Sequence, residues 1–391
     1  MPNAAASRLV LEPFSEDAVT KAARDALHQI GGHASCAIVF CSSDYRADLE
    51  DFVELVQLHA HAPLVVGCSS SGLLGTSVEA EKGSGFSLLL LNLPETRIQT
   101  VTFDAEQVES LETPEAWHEF TGCKEGEAGG WIVLADPYSL PVEQWLERWN
   151  AAFPNLTTVG GLASGGSSGD DVFVFRDGHL QEGAVALGLF GGVRLHPVIS
   201  QGCRPIGEPF TITGAEENLV TSLGSRPAFE RLVETINELP AKEQVIASHG
   251  NLFAGLAMSE YVHDFKTGDF LVRNLIGADE DSGAIALGGH PRVGQTLQFQ
   301  LRDRDSATEE LHRLLAQRKK AGLNPFASLA FSCTGRGKGL FEEKHHDAGA
   351  LTEYLGEHPS AGFFCNGEIG PVGGRTFVHG YTASIALLAD A

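Results

Sequence analysis

One order of elements recurs three times along this chain, and nothing else in the sequence narrows the fold so far. The first copy opens with CAIVFCSS, residues 36–43, an apolar run rich in β-formers. Residues 47–60 follow with Leu49, Phe52, Val53 and Val56 at helical spacing. Pro63 ends that helix, because proline lacks the amide that the next turn would need. A short strand over 64–67 then feeds CSSSG, and residues 87–93 form another strand. In the second copy WIVLADP (131–137) leads to a helix with Trp145, Leu146 and Trp149 on one side. TTVGGLASGG (157–166) and strands over 172–175 and 184–190 complete it. The third copy runs SLAFSCTGRG (328–337), a helix near 348–356, AGFFCNGEIG (361–370) and a strand over 381–388.

Between the second and third copies the pattern predicts a helix over 227–239 and a β-rich region over 245–301. The loop IGADEDSG (276–283) is similar to the other small-residue loops, so a degenerate fourth unit is expected there. Residues 306–320 read as a helix with Leu311, Leu314 and Leu315 as its stripe and Ser306 with Glu309 as a capping box. These elements define an α/β chain, mixed α+β in detail. We expect two related halves, each a mixed β-sheet covered by helices and built from β-α-β-β units. Residues 1–30 form an extension with a first helix, 31–215 an amino-terminal domain and 216–391 a carboxy-terminal domain. Periodicity fades over 205–226, where Gly, Pro and Thr are frequent.

The charge balance excludes several partners. With 27 basic and 51 acidic residues the net charge is -24, and that field disfavours nucleic acid and anionic membrane faces. The amino terminus has no apolar h-region of a signal peptide, and the longest apolar stretches fall far short of a spanning helix. Seven cysteines, odd in number and free of any C-x-x-C pair, argue against a disulfide framework and a zinc site. A cytoplasmic protein is expected.

CSSSG, GGLASGG, CTGRG, and GEIGP with HGYT, in this order over about residues 36–385, resemble the FIST proteins, named for their F-box and intracellular signal transduction contexts. The resemblance implies a ligand-sensing module for small molecules such as amino acids. Because the two FIST regions use up the 391 residues, it also implies a separate signalling partner. Some members of the wider family resemble haem-containing nitric oxide sensors, which implies a proximal imidazole; His249, His263, His290, His345, His346 and His379 are the available ones. None sits in a C-x-x-C-H motif, and His345 and His346 lie in EEKHHD, which reads as a solvated helix start. No metal or other cofactor is expected.

The glycine-studded stretch 362–388 has the layout of a backbone-lined site, or of a tight turn between core strands. The candidate ligand-binding residues are Cys68, Ser69, Ser70, Ser71, Gly72, Gly161, Ser164, Arg336, Asn366, Gly367, Glu368, His379 and Thr382. For an amino-acid-like ligand held between the halves, Arg336 would meet the carboxylate and Glu368 the ammonium, with loop amides as further donors. Alternatively Arg336 and Glu368 pair with each other. His379 either contacts the ligand or opens the last strand and bonds a backbone carbonyl. Cys68 and Cys365, read as equivalent positions in their repeats, are candidate nucleophiles for an enzyme using His379 and Glu368, or inert core residues. An interaction scaffold is a third reading.

Overall fold

The computed structural model describes residues 2–166, 169–260, 265 and 268–391. The chain divides into two compact units, Met1–Ile199 with His312–Ala391, and Ser200–Leu311.

The larger unit holds the three repeats, and each organises a six-stranded mixed sheet. At the heart of each sheet is a parallel pair: Cys36–Ser42 with Val65–Ser70, Gly130–Ala135 with Thr158–Leu162, and Ala327–Cys333 with Ser360–Cys365. A parallel pair needs a crossover, and the helices Leu49–Ala60, Val142–Ala152 and His346–Leu355 supply it. Their buried faces carry Phe52, Val53 and Val56 in the first and Trp145, Leu146 and Trp149 in the second, at the spacing read from the sequence. Long antiparallel strands Phe86–Asn92, Ala184–Gly191 and Ala383–Asp390 flank the three pairs. Gly67, Gly160 and Gly362 occupy one register, opposite Val39, Val133 and Ala330. A Cβ at any of the three would strike that neighbour's carbonyl oxygen, which is why no larger residue stands there.

The hairpin that follows each pair joins a different repeat's sheet. Leu73–Gly75 and Val78–Ala80, from the first repeat, pair with Ser360–Cys365 of the third. Val174–Arg176 and His179–Gln181, from the second, pair with Val65–Ser70 of the first. Gly367–Val372 and Arg375–His379, from the third, pair with Thr158–Leu162 of the second. The exchange is cyclic, so no repeat completes its own sheet. The inner faces of the three sheets meet in one core, with Ile38 and Phe40, Ile132 and Leu134, and Leu329 and Phe331 among its residues.

Residues 4–29 are part of the fold. Ala4–Val10 pairs along its whole length with Phe86–Asn92, and Ser15 caps the helix Glu16–Gln29.

The smaller unit is an antiparallel barrel rather than a fourth repeat. Phe210–Glu216, Leu219–Leu223, Ala284–Leu287, Phe270–Asp279, Leu252–Ala257 and Thr296–Arg302 pair in that order, and the last closes on the first. Loop 276–283 is the end of one strand and a hairpin turn, fixed by the Asp279 carboxylate accepting from Ser282 N at 2.9 Å. Direct turns of this kind give antiparallel pairs. Ile212, Val220, Leu256, Ile285, Leu297 and Phe299 fill one apolar core. The helix expected over 306–320 spans Arg304–Lys320, and Asp303 rather than Ser306 accepts at its start, with Ser306 N at 2.7 Å from the carboxylate. Aspartate is as good a cap as serine, and it stands one turn earlier.

Candidate functional site

Counting from the register glycines, the second strands of the three pairs lead into Ser71-Gly72, Ser164-Gly165 and Asn366-Gly367 at equivalent positions. Each repeat therefore delivers a small polar side chain and then a glycine to the same place. The Ser164 hydroxyl joins all three: it accepts from Ser71 N at 2.9 Å, lies 3.3 Å from Ser71 Oγ and donates to Phe364 O. Ser164 N donates to Ser69 O at 3.2 Å, Asn366 N to Leu162 O at 3.1 Å, and Phe364 N to Gly72 O at 2.9 Å. Asn366 Nδ2 reaches Ala163 O at 3.0 Å, and Thr334 N reaches Cys365 O at 3.0 Å. Ser69, Ser70 and Ser164 are buried beneath, Ser71 is half-buried, and Asn366 and Thr334 are exposed. The result is a closed polar floor with a solvent-facing rim.

Several expected donors are engaged within that floor. Ser69 N bonds Phe173 O and Ser69 Oγ accepts from Phe173 N, both at 2.9 Å, while Ser70 Oγ donates to Cys41 O at 3.3 Å. Gly161 and Gly367 lie in the pairing between Thr158–Leu162 and Gly367–Val372. A Cβ at Gly161 would meet the Cys365 sulfur, so close packing requires the glycine.

Arg336, two residues beyond Thr334, turns its side chain to Asp347. Its Nε and Nη2 bind the two carboxylate oxygens of Asp347 at 2.8 Å each, with side chains 0% and 3% exposed. The same carboxylate accepts from Ser332 Oγ at 2.6 Å and His346 Nδ1 at 2.9 Å. Burial by itself would raise the Asp347 carboxyl, and the guanidinium, its two hydrogen bonds and His346 bring it well below the ordinary range. From the exchanged hairpin, Glu79 accepts from Ala348 N at 2.9 Å and so caps the helix His346–Leu355 from another repeat. Burial, then the Asp347 charge, lifts the Glu79 carboxyl to about 7. His345 accepts from Glu79 N at 2.9 Å, and His346 stacks on Phe341 at 3.4 Å between centroids. In EEKHHD, Glu342 to Lys344 are thus exposed, while His345, His346 and Asp347 are packed against Arg336 from the preceding loop and Glu79 from another repeat.

Glu368 and Thr382 are buried, and Glu368 Oε2 accepts from Thr382 N at 3.0 Å, tying the hairpin to the final strand. His379 ends the strand Arg375–His379 rather than opening the last one, and its Nε2–H donates to Gly370 O at 3.0 Å. Cys68 and Cys365 are not equivalent positions: the glycine register matches Cys68 with Phe363 and Cys365 with Ser70. Both thiols are fully buried. Burial holds them well above their ordinary value, with nearby Cys41 adding for Cys68 and Glu368 for Cys365, so the reactive thiolate is disfavoured.

The imidazoles considered for haem fit poorly. His345, His346 and His379 hold the bonds just given; His249 bonds Val245 O at 2.6 Å and is exposed, as is His290. His263 lies outside the described residues. Among the described residues no group of three or more His, Cys, Asp or Glu has metal-binding geometry, and no helix is long and apolar enough to cross a membrane.

Sequence reasoning missed Asp347, Glu79 and the role of Thr334. A signal for the first existed: Asp347 is an acid in the first turn of an apolar helix, where the helix dipole favours a carboxylate.

Sequence models of the FIST N domain and the FIST C domain match residues 35–226 and 228–371. An uncharacterized protein of Mycobacterium tuberculosis is 36% identical over 97% of each chain, and one of Mycobacterium bovis 35% identical over 97% of each. Among solved structures, cyanuric acid hydrolase from A. caulinodans is similar over 100% of this chain and 99% of its own, with a TM-score of 0.35 and 10% identity. That likeness is too slight to carry an argument here.

Proposed function

Because this chain belongs to the FIST family, whose role is sensory and in signal transduction, we infer that it holds a small polar molecule over the point where its three parallel strand pairs end. One observation carries the reading: three repeats bring equivalent polar-glycine steps to one place, where Ser71 bonds Ser164, Asn366 bonds Leu162 O and Ala163 O, and Phe364 bonds Ser164 and Gly72. Fold stability alone does not require an exposed amide at Asn366 or an exposed hydroxyl at Thr334 on that rim.

The ligand is small and bound chiefly by hydrogen bonds. With Arg336 engaged by Asp347, an amino-acid-like carboxylate would be met by rim hydroxyls and amides rather than by a guanidinium. Occupancy has a route outward. Gly72 and Gly367 each open an exchanged hairpin, so a ligand touching Ser71 and Asn366 acts on segments shared between repeats. Such a ligand shifts the protein between states only by binding one better than the other, by about 1 to 3 kcal/mol in ordinary coupling. A separate signalling protein would read the change.

Thermal-shift screening against amino acids, small amides, purines and small acids tests the reading. A ligand present at about 100 times its Kd adds roughly 2.7 kcal/mol of stability. The Asn366→Ala and Ser71→Ala proteins should lose most of that gain. If no compound stabilises the wild type at millimolar concentration, or both variants keep the full shift, the reading fails.

A further inference from the structure

We propose that a second cleft, formed around Arg8, binds a small oxyanion, a carboxylate or a phosphate. The cleft has a volume of about 430 Å³ and is lined by Ser7, Arg8, Gln29, Thr76, Glu357 and His358 among others. That size suits a small metabolite. It lies apart from the strand-end rim and does not depend on the function inferred there.

Arg8 is half-buried as a residue, and Nη1 alone is engaged, donating to Ser7 O at 2.7 Å and Gln29 Oε1 at 2.9 Å. Its Nε and Nη2 edge has no protein acceptor among the described residues, and no carboxylate lies within salt-bridge distance of it. That edge is the fork that takes two oxygens of a carboxylate or phosphate at once. In a chain with 51 acidic residues, a guanidinium in a cleft with no carboxylate bonded to it is conspicuous. Buried arginine elsewhere in this unit has one: Arg336 has Asp347.

Hydroxyls complete the lining. Ser7 Oγ and Thr76 Oγ1 lie 2.9 Å apart, and Thr76 Oγ1 also contacts His358 O at 3.4 Å and accepts from Ser360 N at 3.1 Å. His358 belongs to the wall rather than to the ligand set. Its Nδ1–H donates to Gly356 O at 2.8 Å and its Nε2 faces Ser328 Oγ at 3.1 Å, while burial favours its neutral form. Glu357 is exposed and is the one carboxylate among the lining residues; it favours a compact anion over one carrying several charges. An anion bound here would bridge the strand Ala4–Val10, the turn of the first exchanged hairpin at Thr76 and the segment 357–359.

Isothermal titration with sodium phosphate and with sodium succinate, at constant ionic strength set by sodium chloride, tests the proposal on the wild type, Arg8→Gln and Arg8→Lys. The wild type should bind at least one of the two anions at millimolar concentration, and the two arms show whether phosphate or carboxylate is preferred. Arg8→Gln should weaken binding by about tenfold or more, and Arg8→Lys by less, since the charge stays while the fork is lost. Glu357→Gln should tighten binding. The proposal is overturned if neither anion binds the wild type, or if Arg8→Gln binds as the wild type does. Should Arg8→Gln fail to fold, an unchanged affinity in Glu357→Gln overturns it equally.

Discussion

The first exchanged hairpin is fastened to the third repeat at both of its ends, by two contacts of opposite chemistry. Where it leaves its own repeat, Gly72 O accepts from Phe364 N of the third repeat, and beside it Ser71 meets the Ser164 hydroxyl of the second, a neutral lattice of hydroxyls and main chain. Where it ends, Glu79 caps the helix His346–Leu355 beside the Arg336–Asp347 pair, and Glu81 accepts from Lys338 N at 2.9 Å. The neutral contact reaches solvent through Asn366 and Thr334, whereas in the charged one Glu79, Arg336 and Asp347 are sealed and only the Glu81–Lys338 bond is exposed. Desolvated charge must be paired completely to be tolerated, so the sealed contact is suited to holding the fold. Hydroxyls and amides exchange partners at far lower cost, so the neutral contact is the one that can receive a ligand.

Four substitutions separate these roles. Asp347→Ala should have the largest effect, because it leaves the Arg336 guanidinium buried without its carboxylate. We expect a loss of about 3 to 5 kcal/mol in urea unfolding; a loss no larger than that of an exposed pair would mean the cluster is open to water. Glu79→Gln comes next and carries a pH signature. A carboxyl lifted to about 7 from 4.5 binds its proton more tightly in the folded state. Its burial therefore costs nothing at acid pH, and stability declines as pH rises through that window, by on the order of 2 to 3 kcal/mol. Glutamine can still accept from Ala348 N and should remove the decline, raising stability above pH 7 relative to wild type. Asp347 slopes the opposite way: its contribution is complete above the ordinary aspartate range and is lost in acid. A Glu79→Gln protein with the wild-type pH profile would show that the carboxyl titrates normally.

Ser164→Ala removes the hydroxyl that links three repeats, and should cost about 1 to 3 kcal/mol with no dependence on pH between 5 and 8. Smallest in stability is Asn366→Ala, an exposed side chain whose loss should change unfolding by about 0.5 kcal/mol or less while removing most of the ligand stabilisation. If Asn366→Ala instead unfolds the protein as Ser164→Ala does, the rim is structural and the contrast between the two fastenings collapses.

The repeat was legible because each parallel pair writes the same local record: an apolar strand, a helix at 3.6-residue spacing and a strand ending on small residues. Which sheet each hairpin joins was not, since alternation along residues 73–80 or 367–379 says that they pair but not with whom. The mismatch of Cys68 and Cys365 has a similar origin. Residues two apart in a strand share a face, so an alignment by cysteine looks plausible, and only the register of Gly67, Gly160 and Gly362 fixes it. The barrel of the smaller unit was hidden because short strands and polar turns read alike in mixed and antiparallel sheets. In EEKHHD, Glu342 to Lys344 are exposed as a run of charges suggests, and what the run does not reveal is that Asp347 at its end is buried against Arg336.

Hydrogen exchange measured by mass spectrometry, on the protein with and without the most stabilising compound from the thermal screen, tests the central claim most directly. Amides at 69–72, 163–166 and 364–368 should gain protection together, from three stretches far apart in sequence. Protection confined to one of them, or appearing only elsewhere, would contradict a ligand site shared by the three repeats.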